Sequence, residues 1–330
     1  WLKENIGGHI IRRNNIHHCE QGGIIGRMGG VFSVIEDNHI HHINNMMEQG
    51  GAEIAGIKMH AAIDVTMRRN HIHHCTMGIW CDWEAQGTRL TQNLLHDNQK
   101  PAVALVHNLI CGALTCVGDG TGWRYTPYHM PHRTEVMGFM TILHGDDRIY
   151  NNIFVQKWPS EDVIIPHDSD EGFDSENRKA GTWMFDEYPT YDEWISQFDF
   201  TKPVDMKKLE PVHFGHLPVW IEGNVYLNGA EACKNEVNGL VISDKEAKVD
   251  LVEKEGSYYL DTNVYDLVGE FKDRMIHSDI LGKAFEPEQR FENPDGTAIQ
   301  FDKDYFGGHR GMDVIPGPFA QAEDAKKVLF

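Results

Sequence analysis

The sequence is short of positive charge and has no long apolar run. Its 330 residues include 30 Lys and Arg against 50 Asp and Glu, a formal net charge of −20. Binding to the phosphates of nucleic acids needs the opposite sign, so this balance excludes a nucleic-acid-binding protein as the default expectation. No stretch of roughly 18 apolar residues occurs, so neither a transmembrane helix nor a membrane partner is expected.

Cysteine is scarce and shows no metal-binding pattern. The six cysteines lack the paired spacing of zinc sites. Cys19 and Cys75 occupy equivalent places in a repeat, about two coil rises apart, which is too far for a disulfide. Reduced, mostly buried thiols are expected, and these favour a cytoplasmic protein. There is neither an initiator Met nor a signal-peptide pattern at Trp1, so we expect the chain to begin inside a repeat, with earlier coils or a signal peptide missing.

Histidine and glycine are abundant instead, with 20 and 32 residues, and the histidines follow a repeat. In each copy a leading Asn is followed two places later by Ile or Leu, and then by His, with leading residues Asn14, Asn38, Asn70 and Asn93, and a looser copy at Asn151. The first four are 24, 32 and 23 positions apart, a period typical of solenoids. Apolar and polar residues alternate as in strands, and no leucine ladder is present. The repeat therefore predicts a parallel β-helix.

Stacked coils place equivalent residues in columns about 4.8 Å apart. One predicted column holds His17, His41, His73 and His96, and the next holds His18, His42, His74 and Asp97. We expect neutral imidazoles, hydrogen-bonded from coil to coil beside an asparagine ladder, and neither a metal site nor another cofactor. A zinc or copper ladder is the alternative that this pattern leaves open.

The repeat is interrupted at Trp80-Cys81-Asp82-Trp83. Counting twelve places from the leading Asn, and aligning the intervening coil on Gly56, puts Gly26, His60 and Asp82 in one column. A carboxylate between two indoles suits a sugar, because the ring stacks on an apolar face and the charge stabilises an oxocarbenium ion. Asp82 is the predicted catalytic residue, with His60, Trp80 and Trp83 as substrate-binding residues. A turn role for Asp82 beside an apolar seam is the alternative.

Three further segments supply candidates. The stretch 46–60 makes its coil about nine residues longer than its neighbours. Its Glu53 lies between apolar neighbours, a setting that raises a carboxyl pKa and suits a general acid. An ordinary surface Glu is the alternative. A cluster of aromatic and basic residues contributes Arg124, Tyr128, His129 and His132 as candidate sugar contacts, with loop packing as the alternative. Asp146-Asp147 fits, more weakly, the paired acids of an inverting polygalacturonase-like enzyme.

Four runs, Gly51–His60, Gly78–Arg89, Thr126–His132 and Gly145–Phe154, resemble the β-xylosidases of glycoside hydrolase family 120. The resemblance covers most of the chain, including Phe285–Gly296. It implies an all-β fold, a right-handed parallel β-helix carrying an antiparallel β-sandwich. It also implies retaining hydrolysis of β-xylosidic bonds with Asp82 as nucleophile.

The family's acid/base is a Glu one coil further on, and it has no counterpart in this sequence. Asn108 follows Asn93 after only 15 residues. The position twelve places after Asn93 is Leu105, so Leu105 and not an acid is the expected neighbour of Asp82 on the following coil. We expect about one coil or more to be lost between Asn98 and Val103. Glu53 or Glu84 would then have to serve as the acid.

The expected organisation is β-helix coils over residues 1–158, an irregular connection with one short helix over 159–214, and a β-sandwich over 215–330. The expected function is an exo-acting retaining β-xylosidase whose partner is a small xylo-oligosaccharide. The alternatives are a sugar-binding β-helix that has lost its acid, and a polysaccharide lyase on the same fold. No motif indicates the oligomeric state.

Overall fold

The computed structural model describes residues 6–44, 54–96, 105–114, 125–141, 143–157, 179–199, 201–203, 207 and 215–329. Within them the chain winds into a parallel β-helix with three sheets. In spatial order, the seven-stranded sheet contains Ile10–Arg12, Val34–Glu36, Thr66–Arg68, Arg89–Thr91, Leu105–Val106, Asp147–Tyr150 and Val219–Glu222. The eight-stranded sheet contains Asn15–Cys19, His39–Ile43, His71–Cys75, Leu94–His96, Leu109–Cys111, Ile153–Val155, Val225–Leu227 and Leu240–Ile242. The three-stranded sheet contains Gly22–Gly29, Ala55–Ala62 and Ile79–Asp82.

The corner between the seven- and eight-stranded sheets is built the same way in successive coils. A residue with positive φ, such as Asp37 (56°) or Arg69 (52°), turns the chain and is followed by the leading Asn. The Asn70 amide donates to Asn93 Oδ1 at 3.1 Å and to the Ile35 carbonyl at 2.9 Å. Identical links join Asn14, Asn38, Asn70, Asn93, Asn108, Asn152 and Asn224. The predicted asparagine ladder is therefore confirmed, and it satisfies backbone groups that the tight corner would leave unpaired. In the looser copy the ladder member is Asn152, because Asn151 takes the corner position with positive φ.

The histidine columns also form as predicted. His17, His41, His73 and His96 are paired in register, and the His41 and His73 rings stack with centroids 5.0 Å apart. In the second column His18, His42 and His74 stack, whereas Asp97 lies outside the described residues. Ile40 and Ile72, next to the first column, point inward and belong to the core cluster that runs along the helix.

The third sheet ends at the strand of Asp82 among the described residues, and this overturns one expectation. Leu105 pairs with Leu90 and Ile149 in the seven-stranded sheet, so it does not stack on Asp82. The twelve-residue count failed because the stretch from Asn93 to Leu105 is too short for a complete coil. An antiparallel hairpin, Tyr125–His129 with Val136–Thr141, comes before the next coil.

The β-helix also continues further than expected. A short helix is present at Tyr191–Ile195, within the predicted 159–214 connection, with Thr190 and Glu193 forming a capping box at its start. Beyond it, Val219–Glu222 and Val225–Leu227 pair in parallel with Asp147–Tyr150 and Ile153–Val155. The predicted boundary at residue 215 therefore has to move beyond Ile242, because these strands add another coil.

The rest of the chain is antiparallel and covers two faces of the helix. Its paired strands are Val249–Lys254 with Ser257–Thr262, Asp273–Arg274 with Asp313–Val314, and Lys283–Ala284 with Gln289–Arg290. Its helices are Val264–Val268 and Ser278–Leu281, with 3₁₀ turns at Trp183–Phe185 before it and Ala322–Lys326 within it. Apolar clusters join it to the outer faces of the eight-stranded and the seven-stranded sheets.

Five cysteines lie in the described part of the chain, and all are free thiols. None of the helices in that part is both long and apolar enough to cross a bilayer.

Candidate functional site

The candidate site lies on the outer face of the three-stranded sheet. Side chains alternate across a strand, so Ile79 and Cys81 contact the core cluster while Trp80 and Asp82 point outward. The register pairs Lys58 with Trp80 and His60 with Asp82. Two neighbouring strands thus bring one acid, two bases and one indole together.

The Asp82 carboxylate is held by three donors. Its Oδ2 lies 2.9 Å from Lys58 Nζ and 2.8 Å from His60 Nε2, and its Oδ1 accepts the backbone N–H of Trp83 at 2.9 Å. The side chain remains 17% exposed, so it is open to a ligand. These three contacts fix the direction of the carboxylate, as a carboxylate nucleophile requires.

Lys58 is the member of this site that the sequence did not single out. Its side chain is fully buried, and its ammonium lies 4.0 Å from the centroid of the Trp80 ring. A buried Lys needs a charge partner, and Asp82 supplies it. The available signal was alternation, since Lys58 stands two places before His60 and therefore shares its outward face.

One predicted column is out of register by one residue. His60 pairs with Arg27, and Gly26 pairs with Met59. The turn from Cys19 to Ile24 is one residue longer than the equivalent turn from Cys75 to Ile79, and counting from the leading Asn cannot detect this. The pairing of His60 with Asp82 is as predicted.

Beyond Asp82 the chain turns through Trp83, whose φ is 61°, and the Trp83 ring packs edge-on against His60 at 5.5 Å. The turn presents Glu84, whose backbone N–H donates to Thr126 Oγ1 at 2.9 Å. Burial, with the nearby carboxyl groups of Asp146, Glu286 and Asp147, raises the pKa of Glu84 to about 8. A carboxylic acid that keeps its proton at neutral pH therefore follows Asp82 by two residues.

Asp146 and Asp147 have different surroundings. Asp146 pairs with Arg148 at 2.8 Å and accepts the backbone N–H of Phe285 at 2.9 Å. Burial and the neighbouring Asp146 raise the pKa of Asp147 to about 7. Asp146 thus ties the β-helix to the C-terminal region, a role that differs from that of one acid in an inverting pair.

His129 and His132 belong to a polar network that anchors the hairpin. The Gln86 amide donates to the His129 carbonyl and accepts the His129 N–H, both at 3.0 Å. His132 contacts Asp64 at 2.8 Å and Glu292 at 3.0 Å, and its hydrogen bond to Asp64 raises its pKa. These contacts fit the loop-packing alternative, and a sugar-binding role for either histidine stays a prediction.

Three candidates remain, of which the structure describes only Tyr128. Tyr128 is half-buried and packs on the cluster of Met140, Leu143 and Leu217. Glu53 and Arg124 lie outside the described residues, so their proposed roles stay predictions.

Comparison with known proteins agrees with this architecture. Residues 2–111 match the family model of the right-handed β-helix region. A solved structure of XylC in complex with xylose is 33% identical, covers 96% of this chain and superposes with a TM-score of 0.77. The present chain spans half the length of that solved chain. No curated protein matches the sequence.

XylC is a β-xylosidase of glycoside hydrolase family 120. Its likeness extends over 96% of this chain. The chain is thus a right-handed β-helix protein similar to the family 120 glycoside hydrolases.

Proposed function

We propose that this chain is a retaining glycoside hydrolase, an exo-acting β-xylosidase on small xylo-oligosaccharides, with Asp82 as its nucleophile. The observation that carries the proposal is the set of donors around Asp82. Lys58 and His60 hold its carboxylate in a fixed direction, and Trp80 and Trp83 flank it on the strand and in the turn. The solved relative that contains xylose supports the choice of sugar.

In the proposed reaction Asp82 attacks the anomeric carbon while an acid donates a proton to the departing oxygen. This forms a glycosyl ester on Asp82 and frees the leaving group as an alcohol. Water, deprotonated by the same group, then attacks the ester, which releases the sugar with its configuration retained and restores the carboxylate. Lys58 and His60 stabilise Asp82 as the nucleophile and again as the leaving group.

Glu84 is the group that we propose as the acid. It lies two residues beyond Asp82, its backbone is fixed by Thr126, and its raised pKa keeps the proton that the leaving oxygen needs. The resemblance implies an acid one coil further on, and that Glu has no counterpart in this sequence, so we take a residue of the turn beyond Asp82 as its replacement. Glu53 remains a proposed alternative.

The experiment is hydrolysis of an aryl β-xyloside by the wild-type chain, Asp82→Asn and the matched surface variant Asp313→Asn. Turnover should fall by at least about a thousandfold in Asp82→Asn, because the nucleophile is lost. Asp313→Asn should behave as the wild type. Equal turnover by the wild type and Asp82→Asn would overturn the assignment of Asp82.

A second candidate function is sugar binding without turnover. It is motivated by the three-stranded sheet, which ends at the strand of Asp82 in the described part of the chain. Calorimetry with xylose and xylobiose separates the two: binding with no release of xylose from xylobiose supports the second candidate and contradicts the first.

A further inference from the structure

Three buried histidines stand together on the outer face of the eight-stranded sheet. His39 belongs to one strand, and His71 and His73 belong to the next. The isoleucines between them point into the core, so these imidazoles share the opposite face. All three side chains are buried, and Tyr258 of the C-terminal region lies 5.5 Å from His39, ring to ring.

Their nitrogen atoms converge. One ring nitrogen from each of the three lies within 4.8 Å of the other two, and His39 Nε2 is 2.8 Å from His73 Nε2. On the following coil, His96 Nε2 lies 2.7 Å from His71 Nε2. Three imidazoles from two neighbouring coils therefore direct nitrogen atoms toward one small region, and His96 of the next coil adjoins one of them.

This arrangement suits a transition metal. Zinc binds imidazole nitrogen at about 2.0–2.1 Å, so two ligands of a tetrahedral ion lie about 3.3 Å apart. Rotation of the imidazole rings would widen the 2.8 Å separation of His39 Nε2 and His73 Nε2 and shorten the longer nitrogen–nitrogen separations, bringing both toward about 3.3 Å. The strands themselves need not move, because their register already places His39 beside His71 and His41 beside His73.

We propose that His39, His71 and His73 bind one divalent transition-metal ion, zinc foremost, with His96 as a further ligand. Imidazole is a preferred ligand of zinc, copper and nickel. The ion would join adjacent coils beneath Tyr258 and act as a structural brace. The site lies on a different sheet from Asp82 and does not rest on the proposed glycosidase activity.

The test uses the full chain without a histidine tag. The protein is incubated with zinc chloride, dialysed exhaustively and analysed for bound metal and for its melting temperature. We expect one zinc ion per chain, a rise in melting temperature with zinc, and loss of both effects in His39→Gln and His73→Gln. The matched control His309→Gln, an exposed histidine, should keep both. Absence of retained zinc, or equal retention in all variants, would overturn the site.

X-ray absorption on the zinc-loaded wild type tests the ligands directly and does not depend on any variant folding. Three or four nitrogen ligands at about 2.0 Å with imidazole scattering are expected. A shell of oxygen ligands, or of sulfur from the cysteines, would contradict the proposal.

Discussion

Lys58 lies beneath the indole of Trp80 with its ammonium 2.9 Å from Asp82. Replacing it with Met keeps most of the buried volume and removes the charge. We expect kcat/KM on an aryl β-xyloside to fall about a hundredfold, because Asp82 loses its fixed counter-charge. Lys245→Met, at an exposed position, is the control. Activity within twofold of the wild type would show that Lys58 serves packing alone.

Glu84 has a pKa of about 8, so a role as acid has a defined pH signature. Activity should decline as the pH rises through about 8, because Glu84 then loses its proton. Glu84→Gln should lose this limb and should hydrolyse xylobiose far more slowly, by a factor on the order of a hundred or more.

The leaving group provides the control for that experiment. The dinitrophenolate of a dinitrophenyl β-xyloside leaves without being protonated. Glu84→Gln should therefore retain much more of the wild-type rate on this substrate. An equal loss on both substrates would mean that Glu84 positions the turn and does not supply the proton.

At the scale of the element, the asparagine ladder was predictable because its spacing repeats and its chemistry is uniform. The histidine columns were predictable for the same reason. The column through Asp82 was displaced by one residue at its first coil, since the turn after Cys19 carries one extra residue. The buried ion pair of Lys58 could not be read directly, because it depends on the register of two neighbouring strands, and the first of them lies in the coil that the 46–60 stretch lengthens.

Asn70 provides a stability test of the ladder. It is fully buried and bonds Asn38, Asn93 and the Ile35 carbonyl. Asn70→Ala should lower the free energy of unfolding by about 2–4 kcal/mol, since it leaves buried partners unpaired. Asn14→Ala, at the exposed end of the ladder, should cost less than about 1 kcal/mol. Equal midpoints in urea for the two variants would contradict this.

His39, which lies beside the histidine columns, predicts a specific sensitivity to acid. Burial and neighbouring histidines lower the pKa of His39 to about 4. Between pH 6.5 and 4, His39 is therefore protonated in the unfolded chain but stays neutral in the folded chain. The stability that neutral His39 contributes thus falls as the pH falls.

His39→Gln isolates this effect from the titration of the buried carboxyls. In the presence of a chelator, the stability advantage of the wild type over His39→Gln should shrink from pH 7.5 to pH 4.5, by on the order of 1–3 kcal/mol. Thermal melts of both proteins at the two pH values measure it. A constant or growing advantage would show that His39 is protonated in the folded state.

At the scale of the whole molecule, the C-terminal region is tied to the candidate site through Gln289. Its amide donates to Asp64 at 2.8 Å and accepts from Gln86 at 2.5 Å and from the His132 backbone at 3.0 Å. These partners come from the β-helix, from the turn beyond Asp82 and from the hairpin. Such a long-range network involves partners about 200 positions apart in the chain, so no local pattern reveals it.

Gln289→Ala should therefore affect both stability and activity. We expect a loss of about 2–4 kcal/mol from unpaired buried groups, together with a lower kcat/KM, because the turn beyond Asp82 loses its support. Gln321→Ala, at an exposed position, is the control. Limited proteolysis and xyloside kinetics measure the two effects, and wild-type behaviour in both would contradict the link.

The extent of the β-helix was underestimated for a related reason. The coil of Val219–Ile242 follows a long connection, and its strands have the same alternation as strands of a sandwich. Only the parallel pairing of these strands with Asp147–Tyr150 and Ile153–Val155 distinguishes a β-helix coil from a sandwich. An antiparallel region after that coil was foreseen from its turns.

The most direct measurement of the central claim is covalent trapping of the nucleophile. The chain is incubated with an activated 2-deoxy-2-fluoro-β-xyloside, digested and analysed by mass spectrometry. The account predicts one fluoroxylosyl group, attached to Asp82, and no labelling of Asp82→Asn. A label on another carboxylate, or turnover of an aryl β-xyloside with no label on Asp82, would contradict it.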